Sequence, residues 1–169
     1  MLACLLVLVV LALTMATACT SFLAVSTNRI IQEQSVDDDT ERCAVDVRRG
    51  HLELFGCTVS SQSKTGACVH VREGANPRLV ESSIVDGMNV GVRVCGNSAA
   101  EIICNTISGH ASHGVEVYDG AYPHMRANTI KKNLGSGLHF RDWYVGCALA
   151  VDWLHHSSCY LLVFTAVWV

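Results

Sequence analysis

The sequence predicts an all-β fold built as a stack of parallel strands, a parallel β-helix, on three observations. The same pattern of residues returns every 23 positions through the middle of the chain, as Val69, Val92 and Val115 do. Each repeat holds short β-branched runs of alternating character broken by Gly, Asn, Ser and Asp, with no apolar residues at helical spacing. A unit this small cannot bury its own apolar face, so equivalent segments must stack on one another.

Each block opens with a strand of the form Gly-Val-x-Val: Cys68-Val-His-Val71, Gly91-Val-Arg-Val94, Gly114-Val-Glu-Val117 and Gly137-Leu-His-Phe140. Alternation places Val69, Val92, Val115 and Leu138 in one inward column and Val71, Val94, Val117 and Phe140 in the next. A turn follows at Gly50, Gly74, Asn97 and Gly120, residue types that tolerate positive φ best. Leu79, Ile102 and Met125 then line a second wall, and Ile84, Ile107 and Ile130 a third. Between these walls, Cys57, Ser82, Asn105 and Asn128 share a corner. There a small polar side chain can bond to backbone and to its copy one rung away. One block earlier, Ala44-Val-Asp-Val47 and Leu54-x-x-Cys57-x-Val59 fit the same template with a one-residue shift. About four rungs result, over residues 44–142, in a stack about 20 Å long.

The phrases Gly74-Ala-Asn-Pro-Arg-Leu79, Ser83-Ile-Val-Asp-Gly-Met-Asn-Val-Gly-Val92 and Asn128-Thr-Ile130 resemble right-handed parallel β-helix repeats of the pectate-lyase-like fold. In look they are similar to the substrate-recognition β-helix of F-box proteins. They are similar also to the repeats of periplasmic copper-site maturation proteins and of carbohydrate-active enzymes. The resemblance spans Ala44 to Trp143. It implies a short right-handed stack and leaves the chemistry open, because a shared fold does not fix function.

The ends differ from the middle. Residues 1–25 are almost uninterruptedly apolar and the first basic residue is Arg29. This segment reads as a signal peptide, with Ala16-Thr17-Ala18 offering the small residues of a cleavage site, or as a membrane anchor. The first places the protein in the secretory pathway and the second at a membrane; without either it is cytoplasmic. Residues 26–43 read as a polar, acidic leader carrying Asp37-Asp38-Asp39, and residues 143–169 as an apolar tail. The tail is a cap on the stack or a truncated or misread end. Its clean run, Cys159 to Val169, is too short to span a bilayer.

Function is bounded mainly by exclusion. Lys plus Arg number 12 against 15 Asp plus Glu, so a net charge of −3 offers no basic face for nucleic acid. The outward position of the first strand reads Asp46, His70, Arg93, Glu116 and His139 up one face. Copies about 5 Å apart attract where charges oppose, as at Arg93 and Glu116. We take this column as the candidate binding face. Its two carboxylates lie three rungs, about 14 Å, apart, beyond the reach of a glycosidase pair. Asp86, Asp119 and Asp142 fall in turns that do not converge. No nucleophile motif, phosphate-binding glycine loop or zinc-ligand spacing stands in the chain, so no catalytic residue, metal ligand or cofactor is expected. His155 and His156 with Cys147 and Cys159 match no zinc pattern. Nine cysteines without Cys-x-x-Cys, and without a shared column among Cys57, Cys68, Cys95 and Cys104, read as free thiols.

The expectation is thus a non-catalytic module that recognises a protein partner through a flat β face. The alternatives are a carbohydrate-binding or polysaccharide-cleaving protein, a lyase or glycoside hydrolase if enzymatic, and a fragment of a longer β-helix protein.

Overall fold

A computed structural model describes residues 22–33, 41–141, 151–152 and 163–164. Residues 1–21 of the signal or anchor segment, the Asp37-Asp38-Asp39 run, Asp142 and the His155-His156 pair lie outside these residues. Every strand pairs in parallel with the equivalent strand of the next rung, and three sheets wrap around one core.

The first wall stacks Phe22–Ser26, His51–Phe55, Arg78–Val80, Glu101–Ile103, His124–Arg126 and Val151–Asp152. The second stacks Arg29–Gln32, Thr58–Ser61, Ser83–Val85, Thr106–Ser108 and Thr129–Lys131. The third stacks Val45–Arg48, Val69–Arg72, Val92–Val94, Val115–Val117, Leu138–Phe140 and Val163–Phe164. Register follows the 23-residue period: Val69 pairs with Val92 and Val92 with Val115, while Ile84 pairs with Ile107 and Ile107 with Ile130. All the inward columns named from the sequence are buried. Branched and long apolar side chains alternate there with outward polar ones, so each rung loses water only by stacking.

The stack begins earlier than residue 44. Phe22–Ser26 pairs with His51–Phe55 and Arg29–Gln32 with Thr58–Ser61, so the last residues of the expected signal or anchor segment and the first of the expected leader form a further rung. Val25 lies beside Leu54 and Ile30 beside Val59, offsets of 29 rather than 23. The additional chain length between Gln32 and Val45 breaks the period, which is why the repeat pattern does not reach this rung. At the other end, Val151–Asp152 and Val163–Phe164 extend the first and third walls.

Side chains hold the corner between the first and second walls. Ser82 Oγ accepts from the Cys57 N–H at 3.1 Å, Asn105 Oδ1 from the Ser82 N–H at 2.8 Å, and Asn128 Oδ1 from the Asn105 N–H at 2.9 Å. The amides also donate downward, Asn105 Nδ2 to the Leu79 carbonyl at 2.7 Å and Asn128 Nδ2 to the Ile102 carbonyl at 2.5 Å. Just before each corner residue the backbone turns through positive φ, at Glu81, Cys104 and Ala127. Such residues adopt this left-handed conformation at a cost of about 1–2 kcal/mol each. The corner ladder offsets that cost by satisfying buried N–H groups. The turn at Gly50, Gly74, Asn97 and Gly120 has positive φ throughout, as the residue types require.

A second ladder runs along the turn between the second and third walls. His110 is fully buried; its Nδ1 accepts from the Gly87 N–H at 3.1 Å and its Nε2 donates to the Ile84 carbonyl at 3.1 Å. Asn133 Oδ1 accepts in turn from the His110 N–H at 3.1 Å. The recurring glycine before each third-wall strand is a matter of space. A Cβ at Gly91 would lie 2.6 Å from the Gly114 carbonyl oxygen, and one at Gly114 would lie 2.7 Å from that of Gly137. Among the described residues no helix is long and apolar enough to cross a membrane.

Candidate functional site

The third wall brings the outward column together in the expected order. Asp46 pairs with His70, His70 with Arg93, Arg93 with Glu116, and Glu116 with His139. Its exposure departs from expectation. His70 and Glu116 are buried, at 3% and 7% exposure, and only parts of Asp46, Arg93 and His139 reach solvent. The segment just before the first third-wall strand lies over the column. Glu41 Oε1 contacts the guanidinium Nη1 of Arg93 and stands 3.7 Å from Nδ1 of His70. The face is a covered, internally paired array rather than an open one.

Its charges are largely spent on each other. Arg72 holds Asp46 through two contacts, Nε to Oδ1 at 2.9 Å and Nη2 to Oδ2 at 2.5 Å, and Arg48 Nε adds a third at 2.9 Å. Burial works to raise the Asp46 pKa, but the hydrogen bonds and charges of Arg72 and Arg48 outweigh it and hold the carboxyl below its ordinary value. Arg93 Nε donates to Glu116 Oε2 at 2.8 Å, and Arg141 Nη1 stands 3.8 Å from Oε1 of the same carboxylate. Arg141 also lies over the Tyr118 ring, 4.3 Å from its centroid. At the upper end the rings of His113 and His139 are 4.2 Å apart.

Around His70 the chemistry changes. Its Nε2 lies 3.4 Å from Sγ of Cys95, whereas its Nδ1 is buried without a hydrogen-bond partner. Burial pushes the His70 pKa down against the opposing charge of Glu41. The ligand-bearing atoms of Glu41, Cys43 and His70 all lie within 4.8 Å of one another. Burial raises the Cys43 thiol pKa to about 11 and the Cys68 thiol to about 12. Cys43, Cys57, Cys68, Cys95 and Cys104 are all free thiols. Asp46 and Glu116 stay apart, with His70 and Arg93 between them in the column.

The first wall presents a different outer face, which the sequence reading did not single out. Phe55, Val80 and Ile103 are register partners and point outward, with Phe55 42% exposed. Beside them Arg78 bridges two rungs, with Nε 2.9 Å from Glu101 Oε2 and Nη1 3.3 Å from Glu53 Oε1. The signal available in the sequence was the apolar residue one place after each inward one, at Leu54-Phe55, Leu79-Val80 and Ile102-Ile103.

The family model described as right handed beta helix region matches residues 21–151, most of the chain and including the early rung. No curated protein and no solved structure matches it.

Proposed function

Because the chain belongs to the right handed beta helix family, whose fold supports many chemistries, we propose a function from its surface: a non-catalytic module that binds a protein partner. The observation that carries this reading is the outward stripe of Phe55, Val80 and Ile103 flanked by the Glu53–Arg78–Glu101 ladder. A rigid β face with an apolar strip and a charged border has the anatomy of a recognition patch, in which burial supplies affinity and the border sets register. The partner that fits offers apolar side chains to the stripe and a Lys or Arg to Glu53 or Glu101. The polar column of Asp46, His70, Arg93, Glu116 and His139 forms the neighbouring wall. It contributes to recognition through its partly exposed members and otherwise stiffens the module.

The test uses the intact protein and two outward variants, Phe55→Ser and Ile103→Ser, each checked for unchanged melting. Retention of one protein species in stoichiometric amount by the parent, lost in both variants, supports the proposal. Turnover of pectin- or alginate-like polymers that disappears in Glu116→Ala would overturn it in favour of a polysaccharide-cleaving enzyme.

A further inference from the structure

We propose that Glu41, Cys43 and His70 form a binding site for a borderline-soft divalent transition metal of the zinc type. Three observations converge on it. The donors are one carboxylate oxygen, one thiol sulfur and one imidazole nitrogen, all within 4.8 Å of one another. This donor set suits zinc and its neighbours rather than calcium or magnesium, which take oxygen ligands.

The second observation is the orphaned nitrogen. The His70 side chain is only 3% exposed, and its Nδ1 has no hydrogen-bond partner while standing 3.7 Å from Glu41 Oε1. A buried polar atom without a partner is destabilising, and a metal ion at this position satisfies it. The opposite ring nitrogen is already engaged with Cys95 Sγ at 3.4 Å, which fixes the ring with Nδ1 toward Glu41.

The third is access. Tetrahedral zinc with ligands at about 2.0–2.3 Å needs its donor atoms about 3.5 Å from each other; Glu41 Oε1 and His70 Nδ1 already stand 3.7 Å apart, and no pair of the three donors exceeds 4.8 Å. Glu41 joins the site from the solvent side with its side chain 40% exposed, so it can adjust as an ion enters beside it. Arg93 now shares Glu41, but it retains Glu116 as a second carboxylate partner when Glu41 turns to the metal. Three protein ligands leave a fourth position for water or an exogenous group. Metal binding displaces the Cys43 thiol proton to solvent, so the bound ion and the thiolate form together.

The experiment titrates the full, reduced chain with Co2+ as a spectroscopic probe and then with Zn2+ in competition. The expected result is one Co2+ per chain, a near-ultraviolet thiolate-to-cobalt band, and displacement by Zn2+. Cys43→Ser should abolish the band, and Glu41→Gln should weaken binding by about tenfold or more. Both positions lie outside the strands, which separates loss of ligand from loss of fold. Cys104→Ser, at an exposed thiol remote in sequence, should keep the band unchanged. A band that survives in Cys43→Ser, or no saturable Co2+ uptake by the folded parent, would overturn the assignment. The protein-binding reading stands or falls separately, since its variants are on the first wall.

Discussion

Replacing Asn105 by alanine tests whether the corner ladder holds the rungs in register. The parent side chain is 1% exposed and serves three neighbours: the Ser82 N–H at 2.8 Å, the Leu79 carbonyl at 2.7 Å and the Asn128 side-chain oxygen at 3.2 Å. Alanine strands the Ser82 N–H in a buried corner, at a cost of about 1–3 kcal/mol, and removes a donor from the Leu79 carbonyl. Carbonyls tolerate under-satisfaction better than N–H groups, so the combined loss should be about 2–4 kcal/mol. For a chain of this size that lowers the melting temperature by about 5–15 °C. Serine at the same position should recover part of the loss. Ser82 one rung below already accepts from the Cys57 N–H at 3.1 Å and donates to the Val80 carbonyl at 2.9 Å. Aspartate keeps the acceptor but sets a carboxylate oxygen against the Leu79 carbonyl, so it should be worse than serine at neutral pH and improve once protonated. Thermal melts followed by far-ultraviolet circular dichroism give the order. Alanine melting within about 1 °C of the parent, or serine melting below alanine, would refute the ladder's energetic role.

Three further outcomes follow from the same geometry. Val94→Asp puts a charge at a site with 0% exposure between Val71 and Val117, and should cost several kcal/mol, read as a collapse of the urea midpoint. Gly91→Ala places a Cβ 2.6 Å from the Gly114 carbonyl oxygen and 2.6 Å from His110 Nε2. It should cost about 2 kcal/mol or more by the same assay, and a neutral result would show that the rungs can slide apart there. Burial holds the His110 pKa below its ordinary 6.5, against the opposing hydrogen bond to Ile84. The unfolded chain therefore takes up a proton near that value before the folded chain does. Stability should be full above about pH 6.5 and decline as the pH falls below it, with His113 acting in the same direction. A urea midpoint that rises between about pH 7 and pH 5.5 would contradict this sign.

Much of the fold can be read from residue order because the stack imposes the same chemistry at each level. Val69, Val92 and Val115 meet one another, so a shared environment leaves a shared residue type, and the Asn105–Asn128 corner does the same for polar groups. The reading stops where equivalent positions differ in kind. Glu81, Cys104 and Ala127 share a left-handed backbone that none of these residue types announces. Gly87, His110 and Asn133 share a turn ladder through a backbone N–H, an imidazole and an amide, with no common side-chain pattern. The strands Phe22–Ser26 and Arg29–Gln32 are hidden by the change of offset before Val45. At the candidate site, the order Asp46, His70, Arg93, Glu116, His139 was readable, whereas the covering of His70 by Glu41 was not. That contact joins residues 29 positions apart through a segment that belongs to no strand.

The offset of 23 that holds from the rung of Val69 onward has a consequence for how such a protein can change size. Val92 meets Val115 and Val115 meets Leu138 across the same 23 positions. A duplication or loss of one whole block, such as residues 91–113, leaves each remaining neighbour relationship in phase. A change of a single residue within a strand turns an inward valine toward solvent along the rest of that strand. Length in this architecture is therefore counted in whole steps, and the module can be grown or shortened by copying without redesigning its interior. Irregular additions are confined to the corners, where the chain between Gln32 and Val45 already supplies one.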